Sequence, residues 1–478
     1  MNYKSVFGVI GELLIMLGVL MLLPLGVAIY YREHESVTIF GVTAIFTCLV
    51  GALLSVALRH GIEFRRRESF AIVALGWLIV TIFGALPYIL FNLQPVDAIF
   101  ESMAGFTTTG STILTDIESH TRSLLFWRSL TQWLGGMGII VLVLAIAPGL
   151  GIAGRQLFTA ETPGPVSDKL TPHLKETAKI LWIAYVSLSI VEMVALKLAG
   201  LPLYDAVTTT FSTMATGGFS PRADSIMAYQ SPIVEVIVLV FMFIAGANFA
   251  LHYKTLLMDR TSLFRDREFQ VYTLLLACAS LLISLHLTST GLSLTDSMRL
   301  GSFQTVSIMT TTGFATADFN QWGDLSRTIL FMLMFVGGCA GSTGGGMKVV
   351  RVSLAFKHGS RELFRAIHPH VVKPVRFGGK VISGEILYSV FAFITLYIFV
   401  FVISTIILSS LGIDFISSLS ASATTLGNVG PGFGIVGPMS NYGSLPIIGK
   451  IVLILNMWIG RLEVITVLVL FTPEFWKR

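Results

Sequence analysis

A chain of 478 residues with 54% hydrophobic and only 12% charged side chains carries about half the charge of an average soluble domain, where roughly 25% is usual. That leaves too few polar groups to cover a globular surface and excludes a soluble enzyme. The net charge of +5 is spread between apolar runs and not gathered on one face, which excludes nucleic acid as a partner. Cys48, Cys278 and Cys339 sit in apolar or glycine-rich stretches with no paired spacing, so neither a disulfide framework nor a thiolate metal knot is expected.

In chain order, ten apolar segments lie near 5–31, 37–58, 69–93, 125–150, 178–200, 231–253, 270–293, 327–356, 384–411 and 447–471. Each is long enough to cross a bilayer. In lipid every backbone polar group needs a partner within its own segment, so these must be helices. The first follows Lys4 and has no small-residue cleavage site after it, so it reads as a retained span and not a signal peptide. Basic residues recur in alternate loops: Arg59, Arg65, Arg66 and Arg67; Arg155, Lys169, Lys175 and Lys179; Lys254, Arg260, Arg265 and Arg267; and eight between Lys348 and Lys380. The positive-inside rule then puts both termini in the cytoplasm.

The opposite loops are unusual. After spans three, five, seven and nine come PVDAIFESMAGFTTTGSTI, PLYDAVTTTFSTMATGGFSPR, LTDSMRLGSFQTVSIMTTTGFAT and IDFISSLSASATTLGNVGPGF. Each is too polar to be a span and too apolar for a solvated loop. Each opens with an aspartate (Asp97, Asp205, Asp296, Asp414), continues amphipathically, and reaches Thr or Asn, one residue, and then Gly110, Gly218, Gly313 or Gly430. The glycines are spaced by 108, 95 and 117 residues, so one unit of about a hundred residues occurs four times. The aspartate is expected to cap a short helix whose C-terminal end, partly negative, favours a cation. Beyond it the glycine lets successive carbonyls turn toward one axis. A potassium ion exchanges its water for such oxygens. The sequence therefore predicts an all-α polytopic membrane protein. It has four span–pore loop–span repeats in one chain, pseudo-fourfold symmetry around a central pore, and two extra N-terminal transmembrane helices. The boundaries are 1–67 for the N-terminal pair and 68–155, 156–262, 263–372 and 373–478 for the repeats.

The segments TTTGST (107–112), ATGGFS (215–220), TTTGFAT (310–316) and GNVGPGF (427–433) resemble the filter loops of the Trk/Ktr/HKT superfamily of potassium transporters. WLGGMGI (133–139), GGCAGSTGGGMK (337–348) and GRLEV (460–464) extend the resemblance over essentially the whole chain. The two N-terminal spans match the TrkH-type membrane subunits of the bacterial Trk system and not the shorter Ktr subunits. By position, the resemblance implies a potassium filter from the carbonyls of Thr108, Thr109 and Gly110; Thr216, Gly217 and Gly218; Thr311, Thr312 and Gly313; and Asn428, Val429 and Gly430. Asn428 departs from Thr-x-Gly. Glycine in all four loops favours potassium, since sodium-preferring members carry serine in the first.

Six glycines between 337 and 346 should break span eight, each costing roughly 1 kcal/mol in a helix interior. The resemblance makes Gly341, Ser342, Thr343, Gly344, Gly345 and Gly346 an intramembrane loop that occludes the pore, with Cys339 adding a polar group and Lys348 at its cytoplasmic end. Arg461 lies in mid-span, where a charge needs a cavity or a partner. Glu463, on another helix face, is not the obvious one. The resemblance gives Arg461 a place by the gate. Glu192 inside span five suits either a proton relay or a structural hydrogen bond.

GLGIAG (149–154) has the form of a dinucleotide fingerprint but trails a span after Pro148, and GSTGGGMK has no glycine immediately before its lysine; no nucleotide is expected to bind this chain. No cofactor is expected beyond the transported potassium. The resemblance implies a homodimer in the bacterial inner membrane with a cytosolic TrkA-type subunit that binds NAD(H) or ATP/ADP. The basic stretches 155–179, 254–267 and 348–380 are its expected docking surface. A carrier coupling potassium to protons or sodium is the alternative.

Overall fold

The structure, a computed structural model, describes residues 3–58, 66–138 and 174–477. Arg59, Arg65, Arg155, Lys169 and GLGIAG lie outside the described residues, as does the last part of the fourth expected span.

Among the described residues six helices are long and apolar enough to cross a membrane, and eight if two bent pairs are each counted as one span. The chain is a multi-pass membrane protein. Its N-terminal pair is tightly joined. Helix Tyr3–Leu20 runs against His34–Leu58, and a Cβ on Gly11 would lie 2.6 Å from the carbonyl oxygen of Gly51. Small residues permit this backbone approach in lipid, where packing and not water exclusion holds helices together. Glu33, between the two, reaches the next unit. Its carboxylate accepts hydrogen bonds from the backbone N–H of Arg122 at 2.8 Å and of Ser123 at 3.2 Å, satisfying the open N-terminus of helix Arg122–Gly136.

Each repeat then has an apolar first span: Arg67–Leu90, Thr177–Leu198, Arg267–Ser289 and Gly384–Ser410. A short pore helix follows: Pro95–Phe106, Leu203–Met214, Leu294–Met309 and Phe415–Gly427. The expected aspartate cap holds only in the fourth, where Asp414 accepts from the Ser417 N–H at 3.0 Å. In the other three the cap positions belong to Gln94, Pro202 and Ser293. Asp97, Asp205 and Asp296 fall in the first turn, still at the positive end of the helix dipole. There they pair with Lys450 (2.7 Å), Arg222 (3.3 Å) and Arg299 (3.2 Å).

The second helix of each repeat corrects the expectation of a single broken span. As expected, 327–356 is interrupted, with helices Asp324–Leu333 and Val349–Ile367 flanking irregular backbone. Among the described residues two others break as well. Pro232–Ala245 and Phe249–Leu257 meet at 98°, and Ile447–Arg461 and Val464–Phe471 at 116°. Helix Arg122–Gly136 stops before Gly138, which has φ +69. The common cause is crowding against the ends of the pore helices. A Cβ on Gly135 would overlap the Phe106 carbonyl, and one on Gly460 the Leu426 carbonyl. Only glycine admits that approach, and glycine weakens the helix where it sits. A small sheet, Arg376–Phe377 with Lys380–Val381, closes a hairpin in the basic 348–380 stretch.

Candidate functional site

The four loops after the pore helices share one backbone. Thr108, Thr216, Thr311 and Asn428 have φ of +55, +53, +60 and +55. Two residues on, Gly110, Gly218, Gly313 and Gly430 have +77, +76, +81 and +101. Asparagine tolerates the first of these conformations, but threonine, being β-branched, is strained there. Three strained threonines at one register mark a site held for function.

The glycines form a closed ring. A Cβ on Gly110 would overlap the carbonyl oxygen of Gly217, one on Gly218 that of Thr312, one on Gly313 that of Val429, and one on Gly430 that of Thr109. Each loop therefore leans on the next, and the fourth returns to the first. All four glycines line one cavity of about 120 Å³, open on one side. The threonines and Asn428 lie buried beneath them. Of the twelve carbonyls singled out from the sequence, two accept hydrogen bonds. Gly217 accepts from Gln132 Nε2 at 2.7 Å, and Gly430 from the hydroxyls of Tyr442 at 2.7 Å and Ser111 at 3.2 Å. The other ten accept none among the described residues. Buried carbonyls rarely stand unpaired in a folded protein. A ring of them can coordinate a cation stripped of water.

The interrupted segment after Leu333 lies against three of the four loops and is joined to the first through Arg461. Thr343 Oγ1 lies 3.3 Å from Thr216 Oγ1. The Gly345 N–H donates to Thr311 Oγ1 at 2.7 Å. Gly345 also abuts Asn428 Cβ, which a Cβ of its own would meet at 2.8 Å. The first loop is joined through Arg461, whose guanidinium donates to Thr108 Oγ1 at 3.1 Å, to the Thr343 carbonyl at 2.7 Å, and to the Gly135 and Gly136 carbonyls at 2.5 and 3.0 Å. Lys348 turns inward, its ammonium donating to the Gly344 carbonyl, and does not reach out to a headgroup. The Ser342 hydroxyl donates to the Cys339 carbonyl at 2.6 Å and accepts from the Lys348 ammonium at 3.5 Å. Cys339 departs from its expected polar role: it is buried in an apolar cluster with Met334 and Val349. Gly341 and Gly346 supply the positive φ, +76 and +64, that folds the segment back.

Several residues here were not singled out from the sequence. Glu268 accepts from the N–H groups of both Ala340 and Val350, at 2.9 and 3.0 Å, and so ties the two limbs of the interrupted segment together. Glu463 is indeed no partner of Arg461. It sits at the break with φ +63 and binds Arg351 at 2.6 Å. Arg128 and Glu101 form a buried pair, 1% and 0% exposed, at 2.7 Å. Glu101 also accepts from Thr112 Oγ1 and the Ile113 N–H, both at 2.9 Å. Arg128 donates to the Ser220 carbonyl at 3.3 Å, joining loops one and two. Charges within apolar runs were the available signal. Removing one partner strands the other in a dry site, so Glu101→Ala is expected to cost about 3–5 kcal/mol of stability. Thermal unfolding of the detergent-solubilised protein checks this, with Arg365→Ala, at a solvated pair, leaving the transition nearly unmoved. Glu192 is fully buried beside Thr213 of the second pore helix.

The family model described as TrkH, cation transport protein, matches residues 35–478. The chain is 42% identical to the Trk system potassium uptake protein TrkH of Salmonella typhimurium over 82% of this chain and 83% of that protein. It is 40% identical to TrkH of Vibrio parahaemolyticus over the full length of both, and 37% identical to the Trk system potassium uptake protein TrkG of Escherichia coli over 81% and 80%. The crystal structure of the potassium transporter TrkH from Vibrio parahaemolyticus superposes with a TM-score of 0.90 at 38% identity, covering all of both chains.

Proposed function

The chain belongs to the TrkH family of cation transport proteins, and we propose that it takes up potassium across the bacterial cytoplasmic membrane through the ring of four loops. The family is one of transporters and not of enzymes. The observation that carries the proposal is the closed glycine ring, with ten of the twelve carbonyls of its loops accepting no hydrogen bond among the described residues. An ion entering from the open cavity sheds water to those oxygens. The negative ends of the four pore helices lower its energy further. The membrane potential supplies about 2.3 kcal/mol per 100 mV to draw it inward.

Under the same reading the segment from Gly341 to Gly346, with Lys348 and Arg461, is the gate, and its contacts to all four loops describe a closed pore. The carbonyls of Gly217 and Gly430, already bonded, ligate less strongly than the other ten. The proposal extends to a homodimer with a pore in each protomer. It also extends to a cytosolic TrkA-type nucleotide-binding subunit that docks on the basic stretches 254–267 and 348–380, where Arg365 and Lys373 are exposed. Cytoplasmic termini follow from the same basic loops.

Rubidium uptake into liposomes holding the purified chain tests the transport. Uptake driven by an imposed inside-negative potential, and raised by the regulator, is the expected result. Absence of rubidium flux in either case refutes it. Flux that follows an imposed proton or sodium gradient at fixed voltage replaces it with the coupled carrier.

A further inference from the structure

We propose that Gln132 is a positioning residue for ion selectivity: a side chain of the first repeat that holds the ring carbonyl of the second. The inference rests on the filter reading above.

The middle residue of the four loops is Thr109, Gly217, Thr312 and Val429. The second loop alone has glycine there. Backbone freedom is not the reason, since Gly217 is absent from the residues of positive φ while its neighbours Thr216 and Gly218 are among them. The reason is space. A Cβ on Gly217 would collide with the carboxamide of Gln132, meeting Oε1 at 2.6 Å and Nε2 at 2.8 Å.

Gln132 is fully buried on helix Arg122–Gly136. Its two amide atoms take up opposite roles on one loop. Nε2 donates to the Gly217 carbonyl at 2.7 Å, and Oε1 accepts from the Phe219 N–H at 3.0 Å. The pair brackets Gly218, the ring glycine of that loop. The Gly217 carbonyl is also the oxygen against which Gly110 packs. Gln132 thus sets the spacing at the contact between loops one and two.

The other loops hold their middle residue through its own side chain. In the first, the hydroxyls of Thr107 and Thr109 bond at 2.7 Å; in the third, those of Thr310 and Thr312 at 2.8 Å. In the fourth, Val429 is buried in an apolar cluster. The second loop has Ala215 and Gly217 at the positions of the paired threonines and can form no such bond. Gln132 supplies from outside what the loop lacks.

The test is the potassium-to-sodium permeability ratio, from reversal potentials of the full-length protein in bilayers, for Gln132→Leu and Gln132→Glu. Leucine removes both bonds. Glutamate keeps an acceptor for Phe219 but turns an oxygen toward the Gly217 carbonyl. Either is expected to lower the ratio by about fivefold, the scale set by one hydrogen bond. Gly217→Ala is expected to lower it in the native background and to have little added effect on Gln132→Ala, where the space is vacant. An unchanged ratio in Gln132→Leu and Gln132→Glu, beside a collapsed one in Gly110→Ser, overturns the inference alone. Unchanged ratios in all three overturn it together with the filter reading. Equal damage from Gly217→Ala in both backgrounds overturns the steric coupling and with it the assignment. If Gln132→Leu does not fold, Gln132→Glu decides.

Discussion

Gly110→Ser is expected to lower the potassium-to-sodium permeability ratio by more than about tenfold, which corresponds to roughly 1.4 kcal/mol of lost discrimination. Two effects act together at this position. The backbone stands at φ +77, where an L side chain costs roughly 1–2 kcal/mol. The new Cβ would also overlap the Gly217 carbonyl oxygen, so one of the two loops must withdraw. Selectivity depends on oxygens held where they replace the hydration shell of one ion. A ring in which each loop leans on the next passes the displacement around, so one serine disturbs more than its own loop. Gly412→Ser separates the two causes. Gly412 has φ +87 but nothing within 4 Å of its Cβ position. It carries the backbone strain without the intrusion and is expected to leave the ratio unchanged. Reversal potentials in mixed potassium and sodium measure both. An unaltered ratio in Gly110→Ser removes Gly110 from the filter.

The ring was legible because its cause is local. Left-handed backbone at the ring position calls for Gly in every loop, and repetition at intervals of 108, 95 and 117 residues showed that the four demands are one. The interruption after Leu333 was legible for the same reason, six glycines in one short stretch. The break at Glu463 was not. It follows from Gly460 passing the end of the fourth pore helix, a contact between elements whose spacing carries no trace of it. Gln132 and the Arg128–Glu101 pair were hidden likewise. Their partners, Gly217, Ser220 and Thr112, lie in loops brought beside them only by the fold. The aspartate caps were misplaced by one turn in three loops because Gln94, Pro202 and Ser293 take the cap positions three residues earlier. Acidic residues favour both the cap and the first turn, so composition alone could not choose.

Arg461→Gln is expected to raise rubidium uptake in the absence of regulator by about 10- to 100-fold, the range given by losing charge-assisted hydrogen bonds of roughly 1.5–3 kcal/mol in the closed state. The guanidinium joins three elements: Thr108 of the first loop, Thr343 of the interrupted segment, and the helix end at Gly135 and Gly136. Its own position is set by the break at Glu463, which Arg351 holds at 2.6 Å from the first turn of the helix leaving the interrupted segment. A pull on Val349–Ile367 therefore reaches the segment directly and Arg461 through Glu463. Two mechanisms give the same sign for Arg461→Gln, since removing a positive charge beneath a cation filter also favours flux. Arg461→Lys tells them apart. Lysine keeps the charge but offers a point donor in place of a planar fork, and it cannot span three acceptors on different elements. If Arg461 acts as a lock, the lysine variant leaks nearly as much as the glutamine variant. If it acts as an electrostatic barrier, lysine behaves as the native chain. Uptake unchanged in both variants sinks the assignment of Arg461 to the gate, and leaves the glycine ring to be judged on its selectivity alone.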